Sequence, residues 1–226
     1  MIGILVELLL SWILLHFIEH QGLAVLGWLP TPRRVKLAAA GFLLTAIYMT
    51  LYYLGESTLL HVPYHKNPAF TLQPFLASLW YFFKSVAFEE LIFRGALLYI
   101  LIKRIGAGKA VIISAVAFGI YHFFTVHPGT PLQMVLLFLT TGLMGYAFAR
   151  AYVVSDSIWV PFALHYALNV ISYTVFGGLF VHSTTTHPSM AIVLILLAIH
   201  NFGYPLVVLW WLHRIKPNRL RKIIKL

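Results

Sequence analysis

Two adjacent glutamates and an arginine, Glu89, Glu90 and Arg94, stand inside an otherwise apolar run of a chain that has only six acidic residues. Taking carboxylates out of water is costly unless they are paired or protonated, so acids at membrane depth mark a candidate functional site. On a helix Glu90 and Arg94 lie at i and i+4 and can pair, whereas Glu89 is rotated by about 100° and faces elsewhere. That spacing divides the labour. Glu90 becomes an orienting partner of Arg94, and desolvated Glu89 is left with the character of a general base. The same residues also suit a purely structural ion pair that locks two helices, and the spacing alone leaves both readings open.

Two further polar pairs follow in apolar surroundings. Phe118 and His122 share one helical face, and His165 and Asn169 share another inside the stretch Trp159 to Val175. His165 and Asn169, stacked one turn apart, have the donor chemistry of an oxyanion hole. Several familiar hydrolytic sites lack their parts. The chain has no cysteine, no G-x-S-x-G and no H-E-x-x-H, and its sole aspartate, Asp156, cannot form an aspartyl dyad. His16, Glu19 and His20 do match the H-x-x-E-H order of inverted zinc peptidases, but at the end of a span they read as an interfacial cluster. His61, His65, His182, His187 and His213 fall in loops or at span ends, and His200 with Asn201 in the last span suits a helix–helix hydrogen bond.

These groups must be held by membrane helices. At 226 residues, 61% hydrophobic and 10% charged, with a mean hydropathy of +0.87, the composition is that of an all-α, polytopic membrane bundle. Apolar runs at Ile2–Ile18, Val35–Leu54, Leu72–Ile102, Ala110–Val126, Leu132–Arg150, Ile158–Phe180 and Ser189–His213 predict seven spans in one domain covering residues 1–226. The third run, about 31 residues or roughly 46 Å of helix, exceeds the bilayer core, so it bends or holds an eighth partial element. The N-terminal run has neither a basic leader nor a small-residue cleavage site and is expected to be retained.

Charge gives the orientation. The net charge is +10, but Arg214, Lys216, Arg219, Arg221, Lys222 and Lys225 crowd a tail at 214–226 suited to anionic headgroups, which disfavours nucleic acid as a partner. An even number of spans separates that tail from Lys103, Arg104 and Lys109, and those from Arg33, Arg34 and Lys36. All three basic segments can then be cytoplasmic, with the N-terminus outside and the C-terminus inside. On this topology Glu89, His122 and His165 lie roughly 20, 18 and 11 Å from the inner boundary, a spread within the uncertainty of the helix ends.

The three motifs together resemble the CPBP family of intramembrane peptidases, which includes type II CaaX prenyl proteases and bacteriocin-processing or abortive-infection-like membrane proteins. The family's EExxxR reads here as Glu89, Glu90, Leu91, Ile92, Phe93 and Arg94, followed by Gly95. Its FxxxH is Phe118 to His122, and its HxxxN is His165 to Asn169, preceded by a family-like stretch from Ser157 that contains Pro161. The resemblance covers a core at about 75–174. It implies a glutamate-dependent endopeptidase in which Glu89 and His122 activate a water, His165 and Asn169 stabilise the oxyanion, and Glu90 and Arg94 hold the geometry. The substrate would be a membrane-associated peptide: the C-terminal tripeptide after a lipidated cysteine, or a leader peptide. A metalloprotease variant would use Zn²⁺ on Glu89, His122 and His165, at the expense of Glu89 as the base. The competing classes are a non-enzymatic immunity or scaffold protein and a proton- or cation-coupled transporter; the chain shows no internal symmetry of the kind many transporters have.

Overall fold

Thr31–Pro32 and Thr130–Pro131 start the two longest helices of the computed structural model, which describes residues 2–182 and 189–216. Thr31 accepts a hydrogen bond from the Arg34 amide, and Thr130 forms a reciprocal capping box with Gln133, while each proline occupies a position whose N–H would have no partner. The helices are α1 (Ile2–Glu19), α2 (Pro32–Leu60), α3 (Leu72–Arg94), α4 (Ala96–Ile105), α5 (Ala107–Val126), α6 (Pro131–Ser155), α7 (Trp159–Asn169), α8 (Met190–Ala198) and α9 (Tyr204–Arg214). A π-helical stretch, Val170–Leu179, continues α7, and a second, Ile199–Gly203, joins α8 to α9.

Among the described residues six helical segments are long and apolar enough to cross a membrane: α1, α2, α5, α6, α7 with its extension, and α8 through α9. With 23 residues α3 is equally long, but it carries Lys84, Glu89, Glu90 and Arg94. The protein is thus an integral, multi-pass helical membrane protein. Leucines such as Leu5, Leu43, Leu51 and Leu194 point outward from the bundle, as lipid-facing side chains do.

The over-long run from Leu72 to Ile102 is two helices broken at Gly95, and α4 is the extra element that its length allowed. A Cβ at Gly95 would lie 2.0 Å from the Leu91 carbonyl oxygen. The chain turns there because only hydrogen occupies that space. Gly95→Ala must therefore push apart the turn that carries Glu90 and Arg94, and the expected outcome is a lowered unfolding midpoint in detergent. An alanine variant with the wild-type midpoint would show that the break is incidental.

The centre of the bundle is α6. Its buried Met144, Ala147, Phe148 and Ala151 pack with Val160 and Leu164 of α7 and Tyr204 and Val208 of α9. Its other side meets α5, where Phe118 lies over Gly145 so closely that a Cβ there would come within 2.9 Å of the phenylalanine. Small residues at such crossings let membrane helices approach and gain packing contact, which lipid cannot supply.

The basic segments gather at one end. Arg33 donates to the carbonyls of Ser155 (3.1 Å) and Lys216 (2.9 Å), and Arg34 lies 3.6 Å from Asp156. Glu19 pairs with Lys103 and Arg104, which ties α1 to α4 and gives the H-x-x-E-H glutamate a structural job. At the opposite end His65–Lys66 pairs antiparallel with Phe180–Val181, and the Asn67 side chain donates to Gly178 at 2.9 Å. Residues 183–188 and 217–226, hence His187 and most of the basic tail, lie outside the described residues.

Candidate active site

Arg94 closes α3 with no exposed surface, and everything around it is arranged to hold its charge. Nη1 donates to Glu90 Oε1 at 3.1 Å, Nη2 donates to the Gly145 carbonyl of α6 at 3.1 Å, and the guanidinium lies 4.4 Å from the Phe118 ring centroid. A buried charge is tolerable only with this kind of pairing, and the planar fork lets one side chain bridge two helices. Glu90 is equally buried, and its Oε1 also takes a hydrogen bond from His165 Nδ1 of α7 at 2.8 Å. The spacing-based pair is thus present and extends further than expected, into a chain Arg94–Glu90–His165 that links α3, α6 and α7.

That chain fixes the chemistry of His165. Arg94 holds Glu90 as an acceptor, so Nδ1 of His165 carries the proton, and in the neutral ring Nε2 is left as a lone pair. Stacking on Phe148, with centroids 5.0 Å apart, sets the ring plane. Nε2 faces Glu89 Oε2 at 3.9 Å. Two acceptors cannot bond each other directly. A group with two O–H bonds, placed about 2.8 Å from each, satisfies both at once. Among the described residues Glu89 Oε2 has no hydrogen-bond partner, and Oε1 has only a long contact, 3.4 Å, from the Ser85 hydroxyl.

His122 reaches the site from α5. Its Nδ1 donates to the Phe118 carbonyl at 2.8 Å, so its free nitrogen is again an acceptor when neutral. His122, His165 and Asn169 line one cavity of about 160 Å³, so three of the residues singled out in the sequence do converge. The cavity has further walls that sequence reasoning did not assign to it: Thr140 and Thr141 of α6, Ser172 beyond α7, and His200 with Asn201 of the last π turn. The helix–helix hydrogen bond expected of His200 and Asn201 is not formed among the described residues. Asn201 Nδ2 donates to Leu197 of its own helix at 2.9 Å, and His200 packs edge-on to Tyr52. Two polar residues in the middle of an apolar span were the available signal, and packing was only one way to read it.

A structural or catalytic zinc needs three protein donors close to one point. Among the described residues no three His, Asp or Glu side chains gather in that way, and Glu90 is held by Arg94 and His165. Glu89, His122 and His165 as they stand do not fit the ion, and the steps below use only the protein's own groups.

Comparison with known proteins agrees with the motifs. No curated protein and no solved structure matches the chain. The matched segment contains α3 through α7 and all of Glu89, Glu90, Arg94, His122, His165 and Asn169, whereas His200 and Asn201 fall beyond it. That segment, residues 71–171, matches the family described as Type II CAAX prenyl endopeptidase Rce1-like, the group the three motifs resemble.

Proposed function

We propose that the protein is an intramembrane endopeptidase in which a water shared by Glu89 and His165 attacks the substrate carbonyl. The opposition of two acceptors, Glu89 Oε2 and His165 Nε2, is the observation that carries this reading. One O–H of the water donates to Glu89 and the other to His165. As the oxygen adds to the carbonyl carbon, Glu89 takes the first proton and later delivers it to the departing nitrogen, so that an amine and a carboxylic acid result. The Asn169 amide donates to the developing oxyanion, a contact worth most in a water-poor cavity. His122 Nε2, an acceptor on the facing wall, receives the N–H of the scissile amide. Arg94 and Glu90 hold His165 in the tautomer that this scheme requires. The resemblance assigns the water to Glu89 with His122; the 3.9 Å approach of His165 Nε2 to Glu89 Oε2 favours His165 as its second anchor.

The substrate is a membrane-associated peptide, with or without a lipidated cysteine. Purified protein is expected to cleave members of a panel containing both kinds, and the preferred kind separates the prenyl-peptide reading from the leader-peptide one. Turnover should survive exhaustive treatment with a chelator; activity lost on chelation and restored by Zn²⁺ would overturn the metal-free scheme. We also assign the end bearing Arg33, Arg34 and Lys103 to the cytoplasm. A cysteine introduced at the N-terminus should then react with an impermeant reagent from outside intact cells, and protection there would reverse the topology.

A further inference from the structure

The cavity lined by His122, His165 and Asn169, beside but not lined by Glu89, has a wall that lies beyond the family match. His200 and Asn201 supply it from the π turn Ile199–Gly203, and this turn is braced rather than frayed. Widening a helix by one residue frees a backbone carbonyl, and π turns of this sort recur at functional sites. Tyr48 of α2 donates its hydroxyl to the Ile199 carbonyl at 2.8 Å, and Tyr52, one turn along α2, packs against His200. At Gly203 a Cβ would lie 2.5 Å from the Tyr48 hydroxyl, so glycine is what lets that brace form. Asn201, within this turn, lines the cavity.

Asn201 belongs to a second concavity as well. Between α6 and α8 lies a groove of about 650 Å³ walled by Leu136, Leu137, Leu194, Leu197 and Phe202. It meets the first cavity at Thr140 and Asn201, the two residues lining both. The smaller cavity, about 160 Å³, has the volume of roughly five waters. It can hold a scissile peptide bond and a water, but not the residues on either side. Flanking substrate must lie elsewhere, and the groove abuts the cavity across Thr140 and Asn201.

Resting on the peptidase reading above, we propose that this groove binds the hydrophobic side chains of a peptide segment on one side of the scissile bond, with Thr140 and Asn201 accepting hydrogen bonds from the substrate backbone at the junction. Asn201 uses Nδ2 on Leu197 and keeps Oδ1 for an incoming N–H; the Thr140 hydroxyl donates to Leu136 at 2.9 Å and its oxygen can accept. A peptide supplies those donors. An isoprenoid or acyl chain does not, and it would leave both acceptors unpaired against hydrocarbon. The groove runs to the α5–α6 turn at His127–Gly129, the end opposite Arg33 and Asp156. A hydrophobic peptide reaches it through that half of the bilayer.

The test uses two synthetic peptides of equal length, one leucine-rich and one serine-rich on the groove side of a shared cleavage sequence. Leu197→Trp, which fills the groove, is expected to raise KM for the leucine-rich peptide roughly tenfold or more, with kcat kept and the serine-rich peptide little affected. Independently of turnover, a benzophenone side chain replacing Leu137 in Glu89→Gln protein should crosslink the leucine-rich peptide. Cleavage by the wild type with crosslinks to lipid alone, or an unchanged KM in Leu197→Trp, overturns the groove and leaves the peptidase standing. Crosslinking without any cleavage by the wild type overturns the peptidase and leaves the groove as a peptide site. Neither crosslink nor cleavage overturns both.

Discussion

Glu89→Gln is expected to lower peptide hydrolysis by about 10²- to 10⁴-fold, the contribution of a positioned general base, while the protein stays folded. The two halves of that expectation have different origins. Catalysis fails because an amide cannot take the water's proton, and because its N–H₂ would occupy the acceptor gap facing His165 Nε2, now 3.9 Å from Glu89 Oε2. Folding survives because Glu89 holds little together: Oε2 has no partner among the described residues, and Oε1 has only the long contact from Ser85. Removing an uncompensated buried charge is neutral to stabilising, so the unfolding midpoint in detergent should hold or rise. A glutamine variant that turns over peptide at the wild-type rate would remove Glu89 from the mechanism. No peptide turnover by either protein would instead favour the non-enzymatic or transporter alternatives. Asn169→Ala in the same assay should cost less, about 10²- to 10³-fold, and mainly in kcat, because its donor acts on charge that exists only in the transition state.

How much of this was legible beforehand depended on the range of each interaction. The Glu90–Arg94 pair is local, four residues apart on one helix, and the high cost of charge in lipid made it conspicuous. The Glu90–His165 bond joins residues 75 apart in sequence. No spacing rule reaches that far, and the ends of the predicted spans were too uncertain to place His165 at the depth of Glu90. The tautomer argument, and with it the pairing of His165 with Glu89, therefore required coordinates. The excess length of the third run announced a break, but its position at Gly95 was not legible. Inside an apolar run a glycine reads as tolerated, and only the 2.0 Å approach of the Leu91 carbonyl shows that it must end α3. The π turn at His200 and Asn201 is invisible to hydropathy, because one inserted residue rotates the face without changing the composition.

Arg94→Ala is expected to be the most destabilising single change, at about 3–5 kcal/mol, because it strips the partner from a buried carboxylate rather than deleting a pair. Glu90 would keep only the bond from His165, and the Gly145 carbonyl would lose its side-chain donor from α3. The cavity left among Phe93, Phe118 and Phe148, whose rings surround the guanidinium, adds to the loss. Arg94→Lys keeps the charge but offers one ammonium where the fork reached Glu90 and Gly145 together, so it should recover part of the stability and little of the activity. The decisive variant is the double substitution Glu90→Gln with Arg94→Met. It removes both charges, fills most of the volume, and still gives His165 Nδ1 an amide oxygen to bond. Denaturant unfolding in detergent should return most of the stability lost in Arg94→Ala. Peptide turnover should remain low, because an amide can flip to donate and no longer fixes the Nδ1–H tautomer of His165 as the carboxylate does. Recovery of stability without activity would separate the two roles of the pair. Recovery of both would show that the charges serve packing alone, and an Arg94→Ala protein as stable as wild type would mean that the bridge between α3 and α6 does not anchor this end of the bundle.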